Sequence, residues 1–242
     1  MLKNSMLFRQ LIYTISLSGF CCQVAAQSVN TSSAAVWTGY FYSIPVTEKW
    51  KILGDAQFRS KYGFSQLSQI LARSGVSYAI QPNWTISAGA AYFKSSGQLH
   101  NENIFLDEYR LWQENAVQFY FHHITLSNRT RWEERWLQKK LEDVTNSFSY
   151  ANRWRNKTTL TFPFSAVYSG EVGSEVMVVA NQSNAVDLLR AFAGIYMVCK
   201  PSFIVQLQYL YQCQYKSIDA IHYRDNQHIV RLNIIQKFPQ KL

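Results

Sequence analysis

Charged side chains at two-residue spacing are the groups in this sequence best suited to chemistry. The densest run is Arg129-Thr130-Arg131-Trp132-Glu133-Glu134-Arg135, and Arg153 and Arg155 repeat the spacing further along the chain. Residues two apart on a strand point to the same face, so such a run projects several charges together. Guanidinium groups bind carboxylates and anionic ligands through a planar fork that stays charged. The run therefore predicts either an anion-binding surface or a network of internal ion pairs.

Other charged residues along the chain follow the same two-residue spacing. When strands are assigned by alternation, ten of the eleven arginines after residue 26 fall on the polar face, and only Arg224 falls in a loop. Asp55, Glu114 and Glu171 share that face. The predicted charge network of ten arginines and three glutamates consists of Arg59, Arg73, Glu108, Arg110, Arg129, Arg131, Glu133, Arg135, Arg153, Arg155, Glu175, Arg190 and Arg231.

Strands are predicted from a period of two in side-chain polarity. Between Phe203 and Gln214, residues Phe203, Val205, Leu207, Tyr209 and Tyr211 share one face, and four glutamines share the other. This alternation is typical of a sheet with one apolar and one polar face. The segments that follow the pattern are 35–44, 50–61, 69–80, 84–94, 108–118, 124–135, 147–160, 166–179, 188–198, 203–214 and 228–238.

The connections between these segments alternate in length. Short turns are predicted at 45–49, 81–83, 119–123, 161–165 and 199–202, and long loops at 62–68, 95–107, 136–146, 180–187 and 215–227. Short periplasmic turns and long external loops are typical of outer-membrane barrels. Aromatic residues near strand ends, such as Trp50 and Trp84 at one end and Tyr92 at the other, fit two interfacial girdles.

The predicted fold is therefore all-β, a single antiparallel transmembrane β-barrel over residues 27–242. Bacterial barrels of one chain have an even number of strands. Twelve strands are favoured, with the segment after Gln27 supplying extra pairing, and ten are the alternative. A soluble sandwich or lipocalin-like barrel is the competing fold, in which the apolar faces would point inward.

The N-terminus indicates export. Lys3 and Arg9 precede an apolar run, and small residues follow up to Ala26, which is typical of a secretory signal peptide over residues 1–26. Its removal leaves 22 basic and 15 acidic residues, a net charge of about +7. Because most arginines are expected inside the barrel, we predict no nucleic-acid partner. The expected location is the outer membrane, with outer-membrane lipid and lipopolysaccharide as partners and the barrel-assembly machinery acting during insertion.

Other residues that could do chemistry form weaker patterns. His122 and His123 lie in a short turn and only imitate the His–Ser spacing of outer-membrane lipid hydrolases. His222, Asp225 and His228 are read as solvated loop residues. Cys199 and Cys213 are too far apart for a disulfide and are predicted to be free thiols. We predict no catalytic residue, no metal and no cofactor.

Several motifs taken in order are similar to those of a known family. They are Trp37, Gln57-Phe58-Arg59, Glu108-Tyr109-Arg110-Leu111-Trp112-Gln113, the run from Asn128 to Arg135, Asn152-Arg153-Trp154-Arg155, Ser174-Glu175-Val176 and Leu189-Arg190-Ala191-Phe192-Ala193-Gly194. This set resembles the outer-membrane-barrel family designated domain of unknown function 2490. The resemblance implies a barrel and a signal peptide, and it assigns no activity and no catalytic residue.

Two functions remain open for such a barrel. It is either a narrow pore that prefers anions or a structural barrel whose lumen is filled by charges. The alternatives are a lipid-modifying enzyme of the outer membrane and a soluble lipocalin-like binding barrel.

Overall fold

Alternating polarity runs through eleven strands that pair side by side into a closed barrel. The computed structural model describes residues 28–99, 102–141, 144–180, 186–218 and 221–240; the predicted signal peptide lies outside them. The strands are β1 Ser28–Pro45, β2 Trp50–Lys61, β3 Gln66–Gln81, β4 Trp84–Leu99, β5 Glu102–Phe121, β6 Ile124–Leu141, β7 Val144–Pro163, β8 Tyr168–Val179, β9 Val186–Lys200, β10 Phe203–Ile218 and β11 Ile221–Lys237. No helix among these residues is long and apolar enough to cross a membrane.

The barrel closes through one parallel pair. Neighbouring strands along the chain pair antiparallel, and β1 joins β11 in parallel, with Val36 opposite Val230. The predicted all-β barrel is confirmed, but the described residues form eleven strands, one fewer than the favoured twelve. The segment after Gln27 does supply extra pairing, because β1 starts at Ser28 and runs along β11. It lengthens an existing strand, so an even count is not reached.

Three of the predicted long loops are strands instead. Residues 95–99, 102–107, 136–141, 144–146, 215–218 and 221–227 continue the hairpins β4–β5, β6–β7 and β10–β11. The sequence of these segments does not alternate in polarity, whereas backbone pairing continues through them. The assignment of Arg224 to a loop is likewise wrong, because it lies in β11 and its Nε donates to Cys213 Sγ at 3.0 Å. Among the described residues, Cys199 and Cys213 are free thiols, as predicted.

The outer wall of the barrel is largely apolar. Leu207 is 54% exposed, and Ile70, Ile195, Val230 and Leu232 also point outward. Aromatic pairs mark both ends of this belt: Trp50 packs on Tyr78 near the short turns, and Tyr92 packs on Tyr109 towards the long hairpins. The face of the sheet that carries the polar residues points into the barrel, whereas the competing soluble barrel requires that face to point outward.

Candidate functional site

Glu133 is a centre of the charge network inside the barrel. Only 2% of it is exposed, and its carboxylate accepts hydrogen bonds from Arg153 Nε at 3.0 Å and from Arg155 Nη1 at 2.7 Å. Arg110 Nη1 lies 3.4 Å away and Arg131 Nη1 4.0 Å away. These arginines come from β5, β6 and β7, so one carboxylate compensates guanidinium groups from three adjacent strands.

Glu175 on β8 is a second centre of the same kind. It accepts hydrogen bonds from Arg155 Nη2 at 2.7 Å and from Arg190 Nη1 at 3.0 Å, and Arg129 Nη2 lies 3.4 Å away. Arg155 therefore bridges Glu133 and Glu175. The network continues in this way from β5 to β9 around the barrel wall.

Smaller ion pairs extend the network on the β2–β6 side. Glu108 accepts hydrogen bonds from Arg110 Nε and Arg135 Nε, each at 2.6 Å. Arg131 Nη2 lies 2.6 Å from Glu114, and Arg73 Nε donates to Asp55 at 2.8 Å. Buried ion pairs of this type are retained when each charge keeps a partner, since an unpaired buried charge is costly.

Among the described cations that line the lumen, three have no carboxylate within ion-pair distance. Arg59 donates to the side-chain oxygens of Gln57 and Gln69, and its guanidinium lies 4.2 Å from the Trp37 ring centroid. Lys157 Nζ lies 4.5 Å from the Phe192 ring centroid. Arg231 Nε is buried, and no described residue accepts a hydrogen bond from it. None of these three groups is therefore neutralised by a direct ion pair, although the carboxylates of Glu171 and Glu175 interact with Lys157 and Arg231 at longer range.

Glu171 is held differently from the other buried carboxylates. Its oxygens accept hydrogen bonds from Gln206 Nε2, from Gln208 Nε2 at 2.6 Å and from the Tyr196 hydroxyl at 2.7 Å. These donors are neutral, so Glu171 does not neutralise any arginine by direct contact. The glutamine face predicted for β10 thus binds a carboxylate inside the barrel.

A cavity of about 560 Å³ runs through the lumen beside these groups. It extends from Phe41 and Ile235 to Leu106 and Gln138, and among the described residues ten cations and three carboxylates line it. The cations are Arg59, Arg73, Arg110, Arg129, Arg135, Arg153, Arg155, Lys157, Arg190 and Arg231, and the carboxylates are Asp107, Glu108 and Glu175. The cavity is large enough for a small organic molecule, and its wall is predominantly positive.

The structure brings all thirteen residues of the predicted charge network to the barrel interior, where Arg131 and Glu133 are covered by the others and do not line the cavity. Sequence reasoning missed Lys157 and the inward aromatic residues Trp37, Phe93, Trp112 and Phe192. Arg110 lies 3.5 Å from the Phe93 ring centroid, and Arg131 lies 4.6 Å from that of Trp112. The sequence did contain a signal for inward aromatic residues. Trp112 is two residues from both Arg110 and Glu114, so it lies on the same face of its strand as these charged residues.

The other residues considered from sequence lie away from the cavity. His122 and His123 form an exposed turn, and neither is hydrogen-bonded to a hydroxyl among the described residues. His228 Nδ1 lies 2.6 Å from the Tyr209 hydroxyl, and Asp225 accepts a hydrogen bond from Thr31 at 2.9 Å. The described part of the chain holds no group of three potential metal ligands.

These features define a closed β-barrel with an apolar outer belt and a cation-rich lumen. The chain belongs to the family of proteins of unknown function designated DUF2490, whose model matches residues 34–221. An uncharacterized protein of Methylorubrum extorquens is 26% identical over 239 residues, which cover 95% of this chain and 98% of that protein.

Two solved barrels are similar to the chain at low sequence identity. The NanC porin is 12% identical, with a TM-score of 0.49, and the match covers 73% of this chain and 86% of that one. The siderophore receptor PirA from Pseudomonas aeruginosa is 11% identical, with a TM-score of 0.29, and the match covers 70% of this chain and 32% of the receptor.

Proposed function

We propose that the protein is an outer-membrane barrel whose lumen is a narrow passage for small anions. The observation that carries this proposal is the composition of the cavity wall, with ten cations against three carboxylates. Passages lined by one sign of charge concentrate ions of the opposite sign. Arg59, Lys157 and Arg231 contribute most to the imbalance, because no carboxylate in the described residues is paired with them.

The width of the barrel argues for a narrow passage. Barrels of about eight strands are filled by side chains, and wide aqueous channels need about 16. Eleven strands fall between these limits, and arginines and aromatic rings occupy much of the interior. We therefore expect small anions to pass slowly, and larger solutes to be excluded.

The outer belt supports the membrane setting. A closed barrel satisfies its backbone hydrogen bonds between strands, which is a requirement for strands in hydrocarbon. The outward residues Leu207, Val230 and Leu232 match that environment, and aromatic pairs mark both ends of the belt. We propose export through the signal peptide, insertion by the barrel-assembly machinery, and contact of the belt with outer-membrane lipid and lipopolysaccharide.

Leu207→Arg is expected to impair insertion strongly, because a lipid-facing arginine near the bilayer midplane costs about 2–4 kcal/mol. The readout is the fraction of protein that is found in the outer membrane and migrates faster in unheated than in heated detergent gels. Phe105→Arg is the matched control: Phe105 is also outward-facing, at 45% exposure, but lies near the β4–β5 tip, beyond the belt. Equal insertion of both variants, or recovery of the unmodified protein in a detergent-free soluble fraction, would contradict the membrane setting.

Conductance in planar bilayers tests the anion passage. We expect small current steps whose reversal potential in a salt gradient shows anion preference. Replacing Arg59, Lys157 and Arg231 by glutamine should shift the reversal potential towards cations, because the remaining arginines in contact with the cavity are largely paired. Replacing Lys49 and Lys94 by glutamine removes charge outside the lumen and should have little effect, because Lys49 is exposed in a turn and Lys94 is exposed on the outer face of β4.

Two results would overturn this proposal. Large cation-selective steps from the unmodified protein are incompatible with the cavity wall described above. Absence of current from a correctly folded barrel, even in the triple variant, would instead support the structural barrel with a charge-filled lumen.

A further inference from the structure

The guanidinium group of Arg231 has no hydrogen-bonded partner in the part of the chain that the structure describes. Its Nε is buried and unsatisfied, and the side chain lines the lumen cavity. Glu171 is the carboxylate whose charge acts most strongly on Arg231. The oxygens of Glu171 already accept hydrogen bonds from Gln206, Gln208 and Tyr196. Since a guanidinium has five N–H donors, Arg231 can bind an acceptor that these residues do not supply.

Lys157 is in the same situation on another part of the cavity wall. Glu175 lies directly opposite it on β8, but the carboxylate of Glu175 accepts hydrogen bonds from Arg155 at 2.7 Å and from Arg190 at 3.0 Å. Lys157 Nζ lies instead over the Phe192 ring, 4.5 Å from its centroid. An aromatic face attracts a cation but has no oxygen that accepts a hydrogen bond, so the three ammonium donors remain available.

The two cations belong to one cavity and interact through it. Lys157 on β7 and Arg231 on β11 both line the lumen, although three strands separate them. The charge of Arg231 acts on Lys157, and the charge of Arg129 acts on both. Glu171 and Glu175 offset part of this repulsion at longer range. A ligand anion between Lys157 and Arg231 would relieve the remainder, because like charges repel strongly away from bulk water.

We propose that Arg231 and Lys157 form a binding site for a phosphoryl dianion in the lumen, here called the phosphate site. The proposal rests on the proposed anion passage and names the class of solute that the passage accepts. The shared chemistry is that of hydrogen phosphate and of small phosphate monoesters. The cavity volume of about 560 Å³ leaves room for either.

The geometry of a phosphoryl group fits these two cations better than that of other small anions. A phosphoryl group carries three acceptor oxygens and close to two negative charges near neutral pH. Two oxygens can accept the planar fork of Arg231, and the third can accept the ammonium group of Lys157. A carboxylate has no oxygen left once the fork is bound, and a halide cannot accept a fork on two separate atoms.

Isothermal titration calorimetry of the refolded barrel in non-ionic detergent tests the site without any measurement of current. We expect inorganic phosphate to bind at least about tenfold more tightly than acetate or chloride at low ionic strength, because only phosphate pairs with both cations. Glycerol phosphate is the second probe. Tighter binding of glycerol phosphate than of inorganic phosphate would support the site with a monoester as its ligand, and the reverse order would support it with free phosphate.

Single substitutions assign the binding to the two residues. Arg231→Gln and Lys157→Gln should each weaken phosphate binding at least about tenfold, the expected effect of losing a charge-assisted contact in a lumen. Arg59→Gln is the matched comparison, since it also removes a lumen cation that has no ion pair. Arg59 already donates to Gln57 and Gln69, so its loss should weaken binding by less than about threefold through screened long-range charge alone.

The denaturant midpoint separates a ligand site from a structural role. Neither cation is ion-paired, so Arg231→Gln and Lys157→Gln should not lower the midpoint in phosphate-free buffer. Phosphate should raise the midpoint of the unmodified protein, because a ligand that binds only the folded state stabilises it. It should not do so in either glutamine variant. Lys157→Arg keeps the charge and the donors, and it should retain the rise.

Three outcomes would overturn the phosphate site. They are no binding of phosphate or glycerol phosphate to a correctly folded barrel, phosphate binding no tighter than that of acetate, and equal losses in Arg59→Gln and Arg231→Gln. Bilayer currents distinguish this failure from failure of the passage. Anion-preferring current without phosphate binding overturns the phosphate site alone, whereas phosphate binding without any current overturns the passage and supports the site.

Discussion

Glu133→Gln is expected to lower the free energy of unfolding by about 3–5 kcal/mol, the usual cost of removing one partner from a buried ion pair. Glu133 compensates Arg153 and Arg155 by direct hydrogen bonds, with Arg110 and Arg131 close by. A neutral amide keeps the shape of the side chain and removes its charge. The guanidinium groups would then repel one another inside the lumen.

Denaturant unfolding of the refolded barrel in detergent micelles measures this effect, with Glu134→Gln as the matched control. Glu134 is the next residue on β6 and points to the opposite face, so its neutralisation should change the free energy of unfolding by less than about 1 kcal/mol. Adding Arg153→Met to Glu133→Gln should recover part of the loss, because one uncompensated charge is removed. Equal stability of the Glu133 and Glu134 variants would show that the network does not stabilise the barrel.

Gly89→Ala is expected to destabilise the barrel by about 1–3 kcal/mol, the typical cost of overpacking a close-packed interior. Gly75 and Gly89 lie opposite each other on β3 and β4, and the Trp112 ring covers both. A methyl group at position 89 would lie 2.1 Å from the carbonyl oxygen of Ser74 and 2.6 Å from the Trp112 ring. The backbone contact cannot be relieved by a rotamer change, so the strands must separate locally.

Gly97→Ala on the same strand provides the comparison. Its added methyl group would meet nothing closer than Leu106 Cδ1 at 3.4 Å, so the same denaturant midpoint as the unmodified protein is expected. Because the added methyl group would displace the Trp112 ring, Gly89→Ala should also alter the tryptophan fluorescence of the folded barrel. An unchanged midpoint and unchanged fluorescence would mean that the interior at Trp112 is loosely packed.

The sequence by itself determined the position of the strands and the direction of their side chains. Each of the eleven predicted segments overlaps one observed strand, and the five short turns lie where they were expected. Alternation is local: Leu207 and Gln206 point in opposite directions wherever β10 lies, because the strand repeats every two residues. The placement of the arginines on one shared face follows from the same period, whereas the closed barrel decided that this face is the inner one.

Only the tertiary structure decided which of these residues meet. The partners of Glu133 come from β5, β6 and β7, and their contact depends on the register of three strands. A register shift of one residue would reverse the facing of every side chain, but a shift of two would keep the facing and change all the partners. Alternation in one strand contains no information on that choice.

The closure of the barrel and the lengths of the hairpins could not be predicted from the local pattern of side-chain polarity either. The parallel contact of β1 with β11 joins the first and last strands, and it requires an odd number of strands, which is eleven among the described residues. The continuation of β4 to Leu99 and of β5 from Glu102 depends on cross-strand hydrogen bonds, which persist where side chains no longer alternate. The sequence analysis did not identify Lys157 as a cation without a carboxylate partner, and the reason is the same. Whether a charge is paired depends on neighbours that are distant in sequence, and closure of the barrel determines those neighbours.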